Sequence, residues 1–534
     1  MISYNQKRFL IVDDFSDFRS SVKSMLGQMA AKHIDIAANG EEAIAQCRNC
    51  KYDIILHDYN LGEGKNGQQV LEELHQGGLI SPQCIFIMVT AESSQAMVLA
   101  ALEFEPDAYL TKPFTRASLQ QRLDKLVERK IALQPILAPL AQQQHREVLQ
   151  ACEKVIKAEP RYAPLCQRYK ADALKALGMH KELEAQLTSL LAERPMPWAL
   201  SMLGNHWLER GELDKAESSL EQGMSQFPML PALYDCLAKV KVAKGDLIKA
   251  QTFLEQAVKI SPNSPQRQAE LGKLARANQD PERAIRAYRQ AVNLGRHSKF
   301  RDPENHLNLA GSLQDQAGDG APSPKALLEI RQTLGDVSKS WKNDPGLTAR
   351  ADLAQATSLI KAGKQSEAKQ LALNASEKLG SLDTFFPAET ALEVASQLRA
   401  LGQADQADTL LSTCAEMYGD DPKVMAGIAE QTSDPAILTA GEHAQTHNRE
   451  GIRLYQQKQY PEALESFRAA QAMQPRNISF ALNTAQSLVR LLINEPTPAL
   501  REECMACLEQ VRSMPSSDHR HERYRKLCER VASL

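Results

Sequence analysis

Asp53-Ile54-Ile55-Leu56-His57-Asp58 is a short apolar run that stops on a carboxylate. A continuous run of this length suits a strand buried on both faces. Similar runs lie on either side. Phe9-Leu10-Ile11-Val12 stops at Asp13-Asp14, Cys84-Ile85-Phe86-Ile87-Met88-Val89 at Thr90, and Asp107-Ala108-Tyr109-Leu110 at Lys112-Pro113. Ile34-Asp35-Ile36-Ala37 is a weaker candidate, and helical patterns such as Val70-Leu71-x-x-Leu74 separate the runs. Five such strands alternating with helices predict a doubly wound, five-stranded parallel α/β sheet.

Asp13, Asp14, Asp58, Thr90 and Lys112 then all fall at carboxyl ends of strands, the edge where an open α/β sheet binds ligands. Their side chains suit phosphoryl chemistry. Asp58 has the makings of a nucleophile, and transfer to a carboxylate needs a divalent metal to neutralise phosphoryl oxygens. Asp13 and Asp14 offer the hard oxygen ligands that Mg²⁺ prefers. Lys112 supplies a charged donor, and Thr90 a hydroxyl donor.

Beyond about residue 130 the period becomes helical and repeats. Pro160, Pro195, Pro228 and Pro262 are spaced by 35, 33 and 34 residues. One unit reads Leu203-Gly204-x-x-Trp207, Gly211, Ala216, Leu220, Gly223, Pro228, and the next Tyr234-x-x-Leu237-Ala238, Gly245, Ala250, Leu254, Ala257, Pro262. A third carries Leu271-Gly272, Ala275, Ala284, Tyr288 and Ala291. This resembles the tetratricopeptide (TPR) repeat, in which small residues let two helices approach and large ones fill the gaps. The predicted division is the α/β domain over 1–129, a linker or connecting helix over 130–142, and an all-α TPR-like solenoid over 143–534. Its clearest repeats lie at 163–295 and 443–476, its irregular part at 296–347, and roughly nine helix pairs are expected from the period.

The 534 residues exceed one ordinary core, and the net charge of -3 gives no electrostatic reason to expect nucleic acid. No run of about 18 apolar residues predicts a membrane span, and the N-terminus does not read as a secretory signal. Ten scattered cysteines suit reduced thiols and a cytoplasmic protein. Cys47-x-x-Cys50 and Cys504-x-x-Cys507 lack the four ligands of a zinc site and read as structural. His57 points to the face of its strand opposite Asp58 and reads as packing. The basic run His519–Lys526 reads as the solvated face of a capping helix, and Trp207 as core.

The N-terminal region resembles the receiver domains of two-component response regulators, which have a flavodoxin-like fold. The matching residues are Asp13-Asp14, Asp58, Thr90-Ala91 and Lys112-Pro113. The resemblance implies that Asp58 is the phosphoacceptor. It implies Mg²⁺ held by Asp14, Asp58 and the backbone carbonyl of Asn60, with Asp13 acting through water. It also implies that Thr90 and Tyr109 move on phosphorylation and that the Lys112–Pro113 bond is cis. Asn60 and Glu92 resemble the pair of fast-cycling chemotaxis-type regulators, which implies brief phosphorylation. One departure is the loop Tyr59-Asn60-Leu61-Gly62-Glu63-Gly64-Lys65-Asn66-Gly67, which lacks the usual Met-Pro pair and places its glycine nine residues after the acceptor instead of eight.

The function expected is therefore that of a response regulator and not an enzyme. A sensor histidine kinase phosphorylates Asp58. Output passes through a protein or peptide held in the TPR groove, or through a homodimer, with remodelling of the face formed by a helix over 94–104, strand five and a helix over 115–129. The alternative is a phosphate sink whose partner binding ignores phosphorylation.

Overall fold

The computed structural model describes residues 3–62, 64–91, 106–318, 320–380, 385–439, 441–514 and 518–532. The helix expected over 94–104, and Glu92, lie outside them. Contacts divide the chain into two units, Met1–Asn305 and His306–Leu534.

The first unit opens with five parallel strands, β1 (Arg8–Val12), β2 (His33–Ala37), β3 (Ile54–Asp58), β4 (Ile85–Thr90) and β5 (Ala108–Thr111), in the order β2-β1-β3-β4-β5. β3 and β4 are buried throughout, which is why they read as unbroken apolar runs. β2 is an edge strand with mostly exposed positions, and its polar residues diluted the signal. Helices α1 (Ser16–Gln28), α2 (Gly40–Asn49) and α3 (Gly67–Gln76) follow the first three strands. Alternate strand residues feed two cores. Phe9, Ile11, Leu56 and Ile87 pack with Val22 and Leu26 of α1, whereas Leu10, Val12, Ile55 and Phe86 pack with Ile44 of α2 and Leu71 of α3. Burying one such Leu or Ile contributes about 1.5–3 kcal/mol.

Helix α4 runs without a break from Arg116 to Ala141, with Pro135 and Pro139 inside it. Its first half, through Leu119, Leu123, Leu126 and Val127, belongs to the sheet's core. Its second half, through Leu133, Ile136 and Leu137, forms the first core of the repeats together with Val148 and Cys152 of α5 (His145–Ala158). Residues 130–141 are thus the end of the last helix of the α/β domain and also the first helix of the array.

Four further pairs complete the regular part of this unit: α6 (Ala163–Ala176) with α7 (His180–Glu193), α8 (Pro197–Glu209) with α9 (Leu213–Gln226), α10 (Pro231–Ala243) with α11 (Leu247–Ile260), and α12 (Pro265–Ala277) with α13 (Pro281–Gly295). The turn inside each pair holds a left-handed residue, at Gln143, Gly178, Gly211, Gly245 and Gln279, with φ of 58, 67, 75, 80 and 59°. Small residues carry the close approach of the helices. A Cβ on Gly204 would meet Leu220 at 2.5 Å, and one on Gly272 would meet the Tyr288 ring at 2.9 Å.

The second unit takes in most of α14 (Pro303–Gln316), then α15 (Pro324–Ser340), α16 (Pro345–Lys361), α17 (Gln365–Gly380), α18 (Ala388–Ala400), α19 (Ala404–Tyr418), α20 (Pro422–Ala429), α21 (Pro435–Thr439), α22 (Glu442–Gln456), α23 (Tyr460–Met473), α24 (Ile478–Asn494), α25 (Pro498–Gln510) and α26 (His521–Ala532). Packed pairs recur at α16/α17, α18/α19, α22/α23 and α24/α25. Gly363 and Gly402 again hold left-handed turns with φ of 74°, and Gly451 abuts Phe467 at the same offset that joins Gly204 to Leu220. Among the described residues no helix is long and apolar enough to cross a membrane. All ten cysteines are free.

The basic C-terminal run is not simply a solvated face. Arg520 is buried, pairs with Asp518 at 2.8 Å, donates to the Ser479 hydroxyl of α24 at 3.0 Å, and lies 5.2 Å from the Tyr418 ring centroid. Arg523 binds Gln486 and Asn483. Both arginines stitch the end of the chain to α24, and these long-range partners are invisible to a charge count.

The same Gly→Ala change should act with opposite signs at two sites. At Gly451 a Cβ falls 2.6 Å from Phe467, so Gly451→Ala should cost about 1–3 kcal/mol through overpacking. Gly335 lies inside α15 with nothing within 4 Å, so Gly335→Ala should gain about 0.5–1 kcal/mol. Denaturant unfolding of both variants checks the pair, and equal effects would contradict the packing described.

Candidate functional site

Parallel pairing of β1 with β3 places Val12 beside His57, so the chain leaves both strands at one edge of the sheet. Asp13 and Asp14 follow β1, and Asp58 ends β3. Asp13 is fully buried, Asp58 is 6% exposed and Asp14 is open to solvent. One carboxylate oxygen from each lies within 4.8 Å of the other two. Lys112, after β5, spans the two buried acids, with Nζ 2.6 Å from Asp13 Oδ2 and 2.9 Å from Asp58 Oδ1. Its ammonium also sits 4.2 Å from the centroid of the Phe18 ring, and its backbone N–H donates to the Thr90 carbonyl at 2.7 Å. The Lys112–Pro113 peptide is cis.

Burial pushes the Asp58 carboxyl upward, and Lys112 pulls it back down. Burial also opposes charge on Lys112, but its bonds to Asp13 and Asp58 hold its proton more firmly than usual. Three carboxylates against one ammonium leave an excess of negative charge on closely spaced hard oxygens. That donor set fits a divalent cation of the magnesium type.

Thr90 is buried at the end of β4, in register with Thr111 of β5. Tyr109 lies half-buried on β5 beside the core that includes Tyr59, and burial raises its hydroxyl to about 12, so it stays neutral. Asn60 is exposed. The sequence-predicted residues therefore gather at one edge, with Tyr109 on the flank. Two contributors had no sequence signal except their place in the first turns after Asp14. These are Phe18, under the Lys112 ammonium, and Arg19, whose guanidinium donates to the Asp13 carbonyl at 2.5 Å.

The unusual loop has a structural answer. Gly62 and Gly64 adopt φ of 73 and 100°. Gly67 then starts α3 pressed against the end of β3. Its N–H donates to the Tyr59 carbonyl at 2.9 Å, and a Cβ there would fall 2.5 Å from the Asp58 carbonyl oxygen and 3.0 Å from His57 Nδ1. Only glycine fits this approach. His57 itself faces away from the acids. It is fully buried, stacks on Phe86 at 5.6 Å and lies with Nδ1 2.7 Å from the Asp58 carbonyl.

Burial lowers the His57 imidazole from 6.5 to about 4. The unfolded chain therefore takes up this proton first as pH falls. The stability that His57 contributes is complete above pH 6.5 and is lost on acidification towards pH 4. The slope approaches 1.4 kcal/mol per pH unit, roughly, inside that window. The raised Asp58 carboxyl acts in the opposite sense, and a substitution at His57 leaves it in place. His57→Gln should flatten the acid side of the stability–pH curve measured by denaturant titration, and parallel curves would refute the assignment.

Residues 9–124 match the response regulator receiver domain. Chemotaxis protein CheY-3 of Vibrio cholerae is 30% identical over 122 residues, which cover 23% of this chain and 92% of that protein. Chemotaxis protein CheY of Pseudomonas aeruginosa is 28% identical, over 23% of this chain and 97% of its own length. Among solved structures, a CheY-like receiver domain protein of Methanospirillum hungatei is 29% identical and covers 23% of this chain and 95% of that one, with a TM-score of 0.22. Through its N-terminal α/β domain, this chain belongs to the response regulator receiver family of two-component signalling.

Proposed function

We propose that Asp58 accepts a phosphoryl group from a sensor histidine kinase and that the helical array carries the output by binding another protein. The observation that supports this best is the convergence of Asp13, Asp14 and Asp58, with Lys112 bridging the two buried acids. In the transfer an Asp58 carboxylate oxygen forms a bond to phosphorus as the P–N bond of the donor phosphohistidine breaks. Asp14, Asp58 and the Asn60 carbonyl, with Asp13 through water, would hold Mg²⁺, which would supply charge neutralisation to the phosphoryl oxygens. Lys112 shifts its bond from Asp58 to a phosphoryl oxygen. The Thr90 hydroxyl donates to another, and Tyr109 follows Thr90. Asn60 suits rapid turnover of the acyl phosphate.

The repeats after residue 143 are read as TPR units, on the period near 34 and on the glycines that seat Leu220, Tyr288 and Phe467. Such arrays take up a peptide or a helix of a partner. No catalytic output is proposed. The near-neutral charge favours a protein over a nucleic-acid partner, and the setting is cytoplasmic. Homodimerisation through the receiver is the other route by which the signal can pass.

Incubation with acetyl phosphate and Mg²⁺ should add one acid-stable, base-labile phosphoryl group, detected by intact mass. Asp58→Asn and metal chelation should each abolish it, and labelling that survives either would overturn the assignment. Partner capture with wild type, Asp58→Ala and beryllofluoride-treated protein should differ. Identical partners and affinities would favour the phosphate-sink alternative.

A further inference from the structure

Within the first unit, one face of α3 is covered by the helical array. Val70, Leu71 and Leu74 point into the sheet's core, so positions 68, 69, 72 and 76 point away from it. Gln68 and Glu72 on that outward face are nevertheless only 7% and 8% exposed. Across from them lie the alternate helices α6, α8, α10 and α12. Glu72 and Gln76 share the lining of a cleft of about 1230 Å³ with Arg168, Trp198, Lys239 and Gln266. Polar side chains on an outward face become this buried only when something else packs against them.

Gln69 connects this contact to the acceptor. Its side-chain Oε1 accepts from the Asn66 N–H at 3.0 Å, while its own backbone N–H donates to Asn66 Oδ1 at 2.9 Å. This capping box closes the first turn of α3. The same side chain uses its Nε2 to donate to the carbonyl of Leu294, at the end of α13, at 3.2 Å. Asn66 precedes Gly67, which is clamped on the Asp58 carbonyl. A continuous path of backbone and hydrogen bonds therefore runs from the acceptor strand through the loop to the array.

We infer that α3 is the receiver's docking element on the array and that Gln69 is the positioning residue that ties this docking to the state of Asp58. The inference rests on the reading of Asp58 as a phosphoacceptor. The docked register is set by the loop as Gly67 holds it against Asp58. The Asn60 carbonyl would turn towards a metal held by Asp14 and Asp58, and together with a larger side chain at Asp58 this would draw that loop towards Asp13 and Asp14. The Gln69–Leu294 bond then fails, α3 leaves the array, and the cleft opens to a partner.

Gln69→Glu tests this in the full chain. It keeps the acceptor needed for the capping box and places an acid in the first turn, where a helix tolerates it well. It loses the N–H that reaches Leu294. Carbodiimide labelling of Glu72, read by peptide mass, reports docking, and intact mass of the same sample reports phosphorylation. Labelling of Glu72 should rise about fivefold in Gln69→Glu, the factor carried by one such hydrogen bond, and by as much in wild type treated with acetyl phosphate and Mg²⁺. Treated Gln69→Glu should show no further rise, and its Asp58 should phosphorylate at least as fully as in wild type, because a contact that phosphorylation breaks opposes phosphorylation. Gln69→Ala, which loses both polar roles, should label like Gln69→Glu. Unchanged Glu72 labelling in both variants would overturn the docking role of Gln69. A phosphorylated wild type with unchanged labelling would overturn the coupling alone. An unphosphorylated wild type would overturn the acceptor reading and leave the docking contact to be judged by the variants.

Discussion

Two carboxylates buried side by side repel, and the sheet edge exists in this form because one ammonium lies between them. Lys112 bonds both Asp13 and Asp58. It is pinned by the Phe18 ring and by its own N–H on the Thr90 carbonyl. Removing one partner from a buried ion pair costs about 3–5 kcal/mol, because an uncompensated charge remains. The charges at the site are therefore balanced only in part. Asp14 adds a further negative charge at the open side, and the two negative charges that one lysine leaves uncompensated match one divalent cation.

Two physical connections join that site to the array. Helix α4 belongs to both cores, so the end of the receiver and the start of the repeats are one rigid element. Arg129 and Lys130 of that helix bond Asp107 just before β5, at 2.7 and 3.0 Å. Helix α3 approaches the array from the acceptor side, through Gly67 and Gln69. A change at Asp58 would thus meet a stiff connection at one end of the receiver and, at the other, a latch that includes the Gln69–Leu294 hydrogen bond. The latch is the part that a modest free energy can move.

Much of this was legible in the sequence, for reasons that differ by element. β1, β3 and β4 showed clearly because burial on both faces demands unbroken apolar runs. β2 showed weakly because an edge strand need not be apolar. The repeat period was readable because a glycine against a large side chain recurs at a fixed offset. It faded where α20 and α21 are short and where α14 and α15 depart from it. The length of α4 was obscured by Pro135 and Pro139, which remove helical hydrogen bonds without ending the helix. Gln69 and Arg520 could not have been found, since the partners that define them lie 225 and 41 residues away.

We propose that the state of Asp58 reaches the helical array. Hydrogen exchange of the full chain, with and without beryllofluoride and Mg²⁺, tests it most directly. Protection should change in two separated stretches, residues 58–76 of the receiver and residues 264–295 of the repeats. A change confined to the receiver, with the repeats exchanging as before, would contradict the claim.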